Sequence, residues 1–365
     1  MSKPTSPLYY SDYLQLNKLL SSQSPKSSQE GHPAHDETLF IIVHQVYELW
    51  FKQILHELDS VIAIFGEEYV DEKQIGVAVA RLGRITEIQK LLIDQFRVLE
   101  TMTALDFLDF RDLLFPASGF QSYQFRLLEN KLGMKPEQRL RYNQETYHTY
   151  LTPEHQALIK RAEQEPSLFD GIERWLERTP FLKFHEFDFW EYYRHAVEDM
   201  LQADRSAILG NPVSSKDEKK RQLAEVDKNE ENFAALLDEE KYAKLGEPDK
   251  RRFSHKAIRA ALLIELYRDE PILHLPFRLL TLLMDMDELW TAWRSRHALM
   301  VHRMIGNKIG TGGSTGYNYL KATTDKYKLF TDLFNLSTFL IPRSRLPELP
   351  KKLRTNLDFR YSPKR

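Results

Sequence analysis

One stretch, residues 40–61 (FIIVHQVYELWFKQILHELDSV), restricts the fold more than any other. Taken at alternating steps of four and three, it reads Phe40, His44, Tyr47, Phe51, Ile54, Leu58 and Val61. That is one face of a long helix packed against other helices. A second row, Leu39, Val43, Val46 and Trp50, is also apolar, so much of the helix circumference is predicted to be buried. His44 stands in the seam where a leucine would pack better. A second seam has the same rhythm: Leu279, Leu283, Met286, Trp290, Trp293, His297, Met300 and Met304. Again one polar residue interrupts it, and again it is a histidine. His302 lies about 140° around the helix from His297, so an unbroken helix cannot turn both toward one ligand.

The remaining chain reads as helix after helix. Residues 9–20 predict a short helix that must bury Tyr9, Tyr10, Tyr13, Leu16, Leu19 and Leu20 against something. Residues 21–35 read as a loop. Asp36 is placed as the N-cap of the long helix, with Glu37 in its first turn. A second long helix is predicted over 71–102, with Ile75, Leu82, Ile85, Ile88, Leu92, Phe96 and Leu99 on one stripe. Thr103 caps a short helix that stops before Pro116. Further helices fit from Ser118 to Gly133, and over 153–164, 167–178, 186–208, 254–268, 276–305 and 323–336. Residues 134–152 read as a connection and Pro180 as a break. Residues 211–252, dense in both charge signs, read as a solvated helical arm, an insertion or a mobile loop. Residues 1–8 read as a disordered lead-in and 350–365 as a mobile tail. Period-two alternation is scarce and no repeat of 20–50 residues occurs. The fold expected is one all-α domain, a bundle of long helices spanning 1–365.

Composition removes several functional classes. The 51 Lys and Arg nearly balance the 53 Asp and Glu, for a formal net charge of -2, which gives no reason to expect nucleic acid as partner. There is no cysteine, which excludes disulfides, zinc–thiolate sites, iron–sulfur clusters and thiolate-ligated haem. No apolar run is long enough to span a bilayer, and MSKPTSPLYY has no apolar signal core. A cytoplasmic protein without a membrane partner is expected. The 21 Phe and 17 Tyr favour large apolar pockets.

Three places can carry chemistry. A lone histidine on an apolar seam is commonly a core residue with one hydrogen bond. Two such seams also suit a haem, with one imidazole on iron and the other lining the opposite face. No HExxH and no two-histidine, one-carboxylate grouping is present. His32 and His35 fall in a polar loop, and His56 points away from His44. The loop GNKIGTGGSTG lacks the phosphate-cradle spacing and follows a helix, not a strand. It is either a flexible connection or a way to bring backbone N–H groups and Thr311 to a small polar ligand. Arg111 sits among Phe107, Phe110, Leu114 and Phe115. It pairs with Asp109 or Asp112, snorkels to water, or clamps a substrate carboxylate.

HDETLFIIVHQVYELWFKQILHELDSV, FLDFRDLLFPASGFQSYQFRLLENKLG, WRSRHALMVHRMIGNKIGTGGSTGYNYL and DLFNLSTFLIPR together resemble the tryptophan 2,3-dioxygenase family. The likeness runs from about residue 9 to 347, and the length is more like the longer, eukaryote-like members than the compact bacterial ones. It implies an all-α bundle enclosing one haem b per subunit, active as Fe(II), with O₂ as co-substrate. The family reaction inserts both oxygen atoms across the indole C2–C3 bond of L-tryptophan, giving N-formyl-L-kynurenine, the first step of tryptophan catabolism. The WRxxH element makes His297 the proximal iron ligand, beside Trp293. His44 falls on the distal side near the indole N–H, with Phe40 on the indole ring. Arg111 becomes the carboxylate clamp, with Thr311 at the amino-acid end. Ser118 and Arg126 shape the haem pocket. Tyr10, Tyr13 and Leu14 resemble residues that enter a neighbouring subunit's site in a homotetramer. Phe107 stands where some members have tyrosine, GTGGSTG replaces the commoner GTGGSSG, and IPRSRLP departs from the animal IPRHW. A haem monooxygenase on an indole, a non-catalytic haem or tryptophan binder, and a cofactor-free interaction protein are the alternatives.

Overall fold

The computed structural model describes residues 7–140, 148–179, 183–184, 187–244, 251–308 and 316–352. The helices in chain order are α1 (Tyr10–Tyr13), α2 (Leu16–Leu20), α3 (Lys26–Gln29), α4 (Glu37–Gly66), α5 (Glu72–Asp94), α6 (Phe96–Leu99) and α7 (Ala104–Arg111). They continue as α8 (Tyr123–Leu132), α9 (Pro153–Gln164), α10 (Leu168–Glu177), α11 (Phe189–Gly210), α12 (Lys216–Leu237) and α13 (Glu239–Lys244). The last are α14 (His255–Leu266), α15 (Pro271–Ile305), α16 (Gly316–Lys326) and α17 (Thr331–Asn335). The described β structure is one antiparallel pair, Lys183–Phe184 with Phe187–Asp188. The architecture is all-α, as its periodicity predicts.

α4, α5 and α15 form the central layer, with α8 and α10 against α4 and α16 against α15. The stripe from Ile75 to Leu99 is buried throughout, as are Tyr47, Phe51, Ile54, Leu58 and Val61 of α4. Burying each large apolar side chain contributes about 1.5–3 kcal/mol relative to exposure, so these two stripes fix the α4–α5 pairing. α15 buries Leu279, Leu283, Met286, Trp290, Trp293, Met300 and Met304.

Local chemistry sets most helix ends. Asp71, Thr103 and Ser167 close reciprocal capping boxes with Gln74, Asp106 and Asp170. α8 ends at Gly133, with φ +122, where a Cβ would meet Phe169 Cβ at 2.6 Å. Only glycine fits that turn.

Five expectations are corrected. Asp36 holds the N-cap position of α4 without a capping hydrogen bond. Glu37 instead folds back and accepts from the Lys26 and Ser27 backbone N–H groups, at 2.7 and 2.8 Å. The helix expected over 71–102 turns at Gln95, whose side-chain amide donates to the Val43 carbonyl. Ser118 caps a short 3-10 turn over Gly119–Gln121, and Ser122 is the cap of α8. α15 starts at Pro271 rather than near Pro276; Pro271 suits the first turn, where its missing N–H has no acceptor to lose. The helix expected over 323–336 divides into α16 and α17.

The charged stretch 211–252 is helical in its described part and is not solvated all round. α12 lies along α11 and buries Val226, Phe233 and Leu236, while its Asp and Glu face water or pair, as Asp227 and Glu230 do with Arg205. Met1–Ser6 of the lead-in, residues 353–365 of the tail, Pro180 and Thr311 lie outside the described residues.

Candidate functional site

One cavity of about 260 Å³ lies between α4, α7, α8, α15 and α16. Phe40, His44, Phe107, Arg111, Ser118, Arg126, Trp293 and His297, far apart in sequence, all line it. Its walls are otherwise largely aromatic and aliphatic, with Tyr47, Phe51, Phe96, Phe125 and Met300 among them, and Glu48, Glu129 and Arg294 add charge.

His44 comes from the first two turns of α4. Its ring packs on Phe40, centroids 4.1 Å apart, and Phe40 stacks on Phe107 at 5.6 Å. The His44 Nδ1 lies 2.7 Å from the Phe40 carbonyl oxygen. A carbonyl only accepts, so Nδ1 carries the proton and Nε2 of the neutral ring is left as an acceptor. Burial lowers the pKa of His44, against the Phe40 hydrogen bond and the Glu48 carboxylate, which raise it. The ring therefore favours its neutral form. His44 keeps accessible surface, and that surface belongs to the cavity wall.

His297 comes from the last third of α15. It stacks near-parallel to Phe96, centroids 6.0 Å apart and 20° between planes, and packs on Trp293 at 5.1 Å. Burial and the nearby His44 push its pKa down to about 4, so it is a neutral nitrogen donor at ordinary pH. His302 is exposed and stacks on Tyr317, outside this cavity, as its angular offset requires.

Arg111 closes α7. Its side chain is 16% accessible, and Asp112, 92% accessible, is one partner at 3.7 Å. A carboxylate so fully hydrated holds it weakly. Arg126 is buried on α8, donates to Glu129 at 3.1 Å, and lies 6.0 Å from the Phe120 and Phe125 rings. Tyr10, Tyr13 and Leu14 do not line the cavity of their own chain; they are 74%, 71% and 40% exposed.

The sequence reading missed the polar groups behind the walls. Glu48 lines the cavity one turn after His44, and its carboxylate accepts from Gln124 at 2.8 Å. Glu129 is buried among Arg126, Arg139 and Arg294. The signal available was Arg126 and Glu129 at i, i+3, and a charged Arg294 one step from the apolar seam.

The donor set suits a flat iron porphyrin. It offers a neutral imidazole, broad aromatic walls, and arginines and a serine at the polar side. No cluster of three His, Asp or Glu able to hold a bare metal ion occurs among the described residues. Fold and cavity together define an all-α protein with a largely aromatic site between two histidine-bearing helices. The match to known proteins is specific. The chain belongs to the tryptophan 2,3-dioxygenase family, whose pattern covers residues 2–340. It is 54% identical over 355 residues to tryptophan 2,3-dioxygenase of Bdellovibrio bacteriovorus, covering 97% of this chain and 99% of that one. The Dictyostelium discoideum protein of the same name is 51% identical, with 97% and 89% covered. That of Xenopus laevis is 52% identical, with 94% and 84% covered. Relatives matched over most of their own length thus occur in a bacterium, an amoeba and a vertebrate.

Proposed function

We propose that this chain is a haem-dependent dioxygenase that converts L-tryptophan and O₂ to N-formyl-L-kynurenine. The observation that carries the reading is the pairing of His44 and His297 in one aromatic cavity of a chain about half identical to enzymes of that name. His297 would hold haem b, one per subunit, with Trp293 beside it and Ser118 and Arg126 shaping the pocket. The haem, when bound as Fe(II), supplies the oxygen chemistry.

The protein's own part is placement. Phe40 and Phe107 present stacked faces for an indole ring. His44 Nε2 accepts from the indole N–H, since Nδ1 is committed to the Phe40 carbonyl. This role is a hydrogen bond and not obligatory proton removal, because an indole N–H is a very weak acid. Arg111 takes the substrate carboxylate with its guanidinium fork, and Thr311 takes the amino-acid end. Fixing the ring from two sides and the carboxylate from a third turns an encounter into a near-attack arrangement.

The exposed Tyr10, Tyr13 and Leu14 fit best as a cover for a neighbouring subunit's site, in a homotetramer. A cytoplasmic location is proposed with this activity; no described helix is long and apolar enough to cross a membrane. One domain over the whole chain agrees with the continuous cluster of buried side chains.

The deciding experiment is an anaerobic ferrous spectrum, followed by ¹⁸O₂ and tryptophan and the mass of the product. Two labelled atoms in N-formylkynurenine are expected. One atom would make the enzyme a monooxygenase, and a haem spectrum without product would make it a binder.

A further inference from the structure

We propose that Glu129 is a positioning residue that sets the placement of the His297-bearing helix against the cavity wall. The inference rests on the haem reading above and goes beyond its residues.

Glu129 is 3% exposed and carries three arginines on one carboxylate. Its Oε2 accepts from Nη1 of Arg126, at 3.1 Å, and from Nη1 of Arg139. Its Oε1 accepts from Nη2 of Arg294 at 3.1 Å. Arg294 also donates from Nη1 to the Tyr327 carbonyl at 3.2 Å, and Arg139 donates to Asn130 Oδ1 at 2.6 Å. Glu129 therefore joins α8, the turn after it and α15, and through Arg294 the network reaches the segment following α16. Arg126, Glu129 and Arg294 all line the cavity together with His297.

Arg294 lies one helical turn before His297. A helix is stiff over one turn, so a contact that fixes Arg294 fixes the height and rotation of the His297 backbone. Buried ion networks add little net stability compared with apolar packing of equal volume. A charged network retained in a cavity wall is better suited to defining geometry, because each guanidinium–carboxylate contact is directional.

The test compares holoprotein of wild type, Glu129→Gln and Glu129→Asp. Three quantities are read: the iron–histidine stretching band of the ferrous form, kcat, and KM for tryptophan. Glu129→Gln keeps the volume and loses the charge. The band should shift and kcat should fall about tenfold, with KM within about threefold, the pattern of a lost placement and not of lost substrate binding. Glu129→Asp should recover part of both. An unchanged band with kcat near wild type overturns the proposal, as does a rise in KM alone. If Glu129→Gln does not fold, Arg294→Lys decides, since it keeps the charge and loses the fork: a shifted band supports the proposal and an unshifted one overturns it. Wild type lacking histidine-ligated haem overturns the parent reading, and this one with it.

Discussion

The two histidine-bearing helices repeat one pattern and prepare their imidazoles differently. On α4, His44 has a committed nitrogen: Nδ1 faces the Phe40 carbonyl one turn back, at 2.7 Å. On α15, His297 is held by ring contacts with Phe96 and Trp293, and the described residues make no hydrogen bond to it. The first arrangement fixes a tautomer, so the ring is ready to accept a proton donor from a ligand. The second fixes an orientation and leaves ring nitrogen for a ligand atom. Both rings are driven toward neutrality by burial, and His297 also by His44. Two equal seams thus yield one hydrogen-bonding wall and one donor wall.

The largest effect that can break this comparison is on the donor wall. His297→Ala should lose the histidine-ligated spectrum and nearly all turnover, while His44→Ala should keep that spectrum. Equal loss of haem in both variants would end the assignment of separate roles. Next comes the clamp. Arg111→Ala should lower kcat/KM for tryptophan about 100-fold, roughly the worth of a charge-assisted pair, and far less for tryptamine, which lacks the carboxylate. A preference for tryptophan over tryptamine that survives the substitution would remove Arg111 from the clamp.

The parts of this design that could be read from sequence are those set by period and by local chemistry. Both histidine seams, the Ile75–Leu99 stripe and the Thr103 cap follow from spacing alone, because helix faces and capping boxes are local. Asp36 fails as a capping side chain because its own backbone is already helical, at φ -78 and ψ -8, and Glu37 finds donors in Lys26 and Ser27, eleven and ten residues away. The Glu129 network was illegible for the same kind of reason. Only the Arg126 contact is local; Arg294 approaches from 165 residues further along the chain. The N-terminal aromatics were legible as needing cover, yet what covers Tyr10 and Tyr13 is not within the described chain.

The smaller effects sharpen the distal side. His44→Ala should lower kcat about tenfold with haem retained, since one hydrogen bond to the indole N–H is lost and the donor is left in an apolar cavity. A kcat within twofold of wild type would show that aromatic packing alone places the ring.

The smallest effect is one of pH. Only neutral His44 can accept at Nε2, so under the proposed role full activity requires the deprotonated ring. Burial moves its pKa below the ordinary value of 6.5, opposed by the Phe40 hydrogen bond and by Glu48. The midpoint at which the neutral form is lost therefore lies on the acid side of 6.5. The acid limb of kcat/KM for tryptophan should lie below that value in wild type. In Glu48→Gln, with one stabiliser of the charged ring removed, the acid limb should move further down. A limb centred near 6.5 in wild type would mean that water reaches His44 freely, and that the distal wall does not keep the ring neutral.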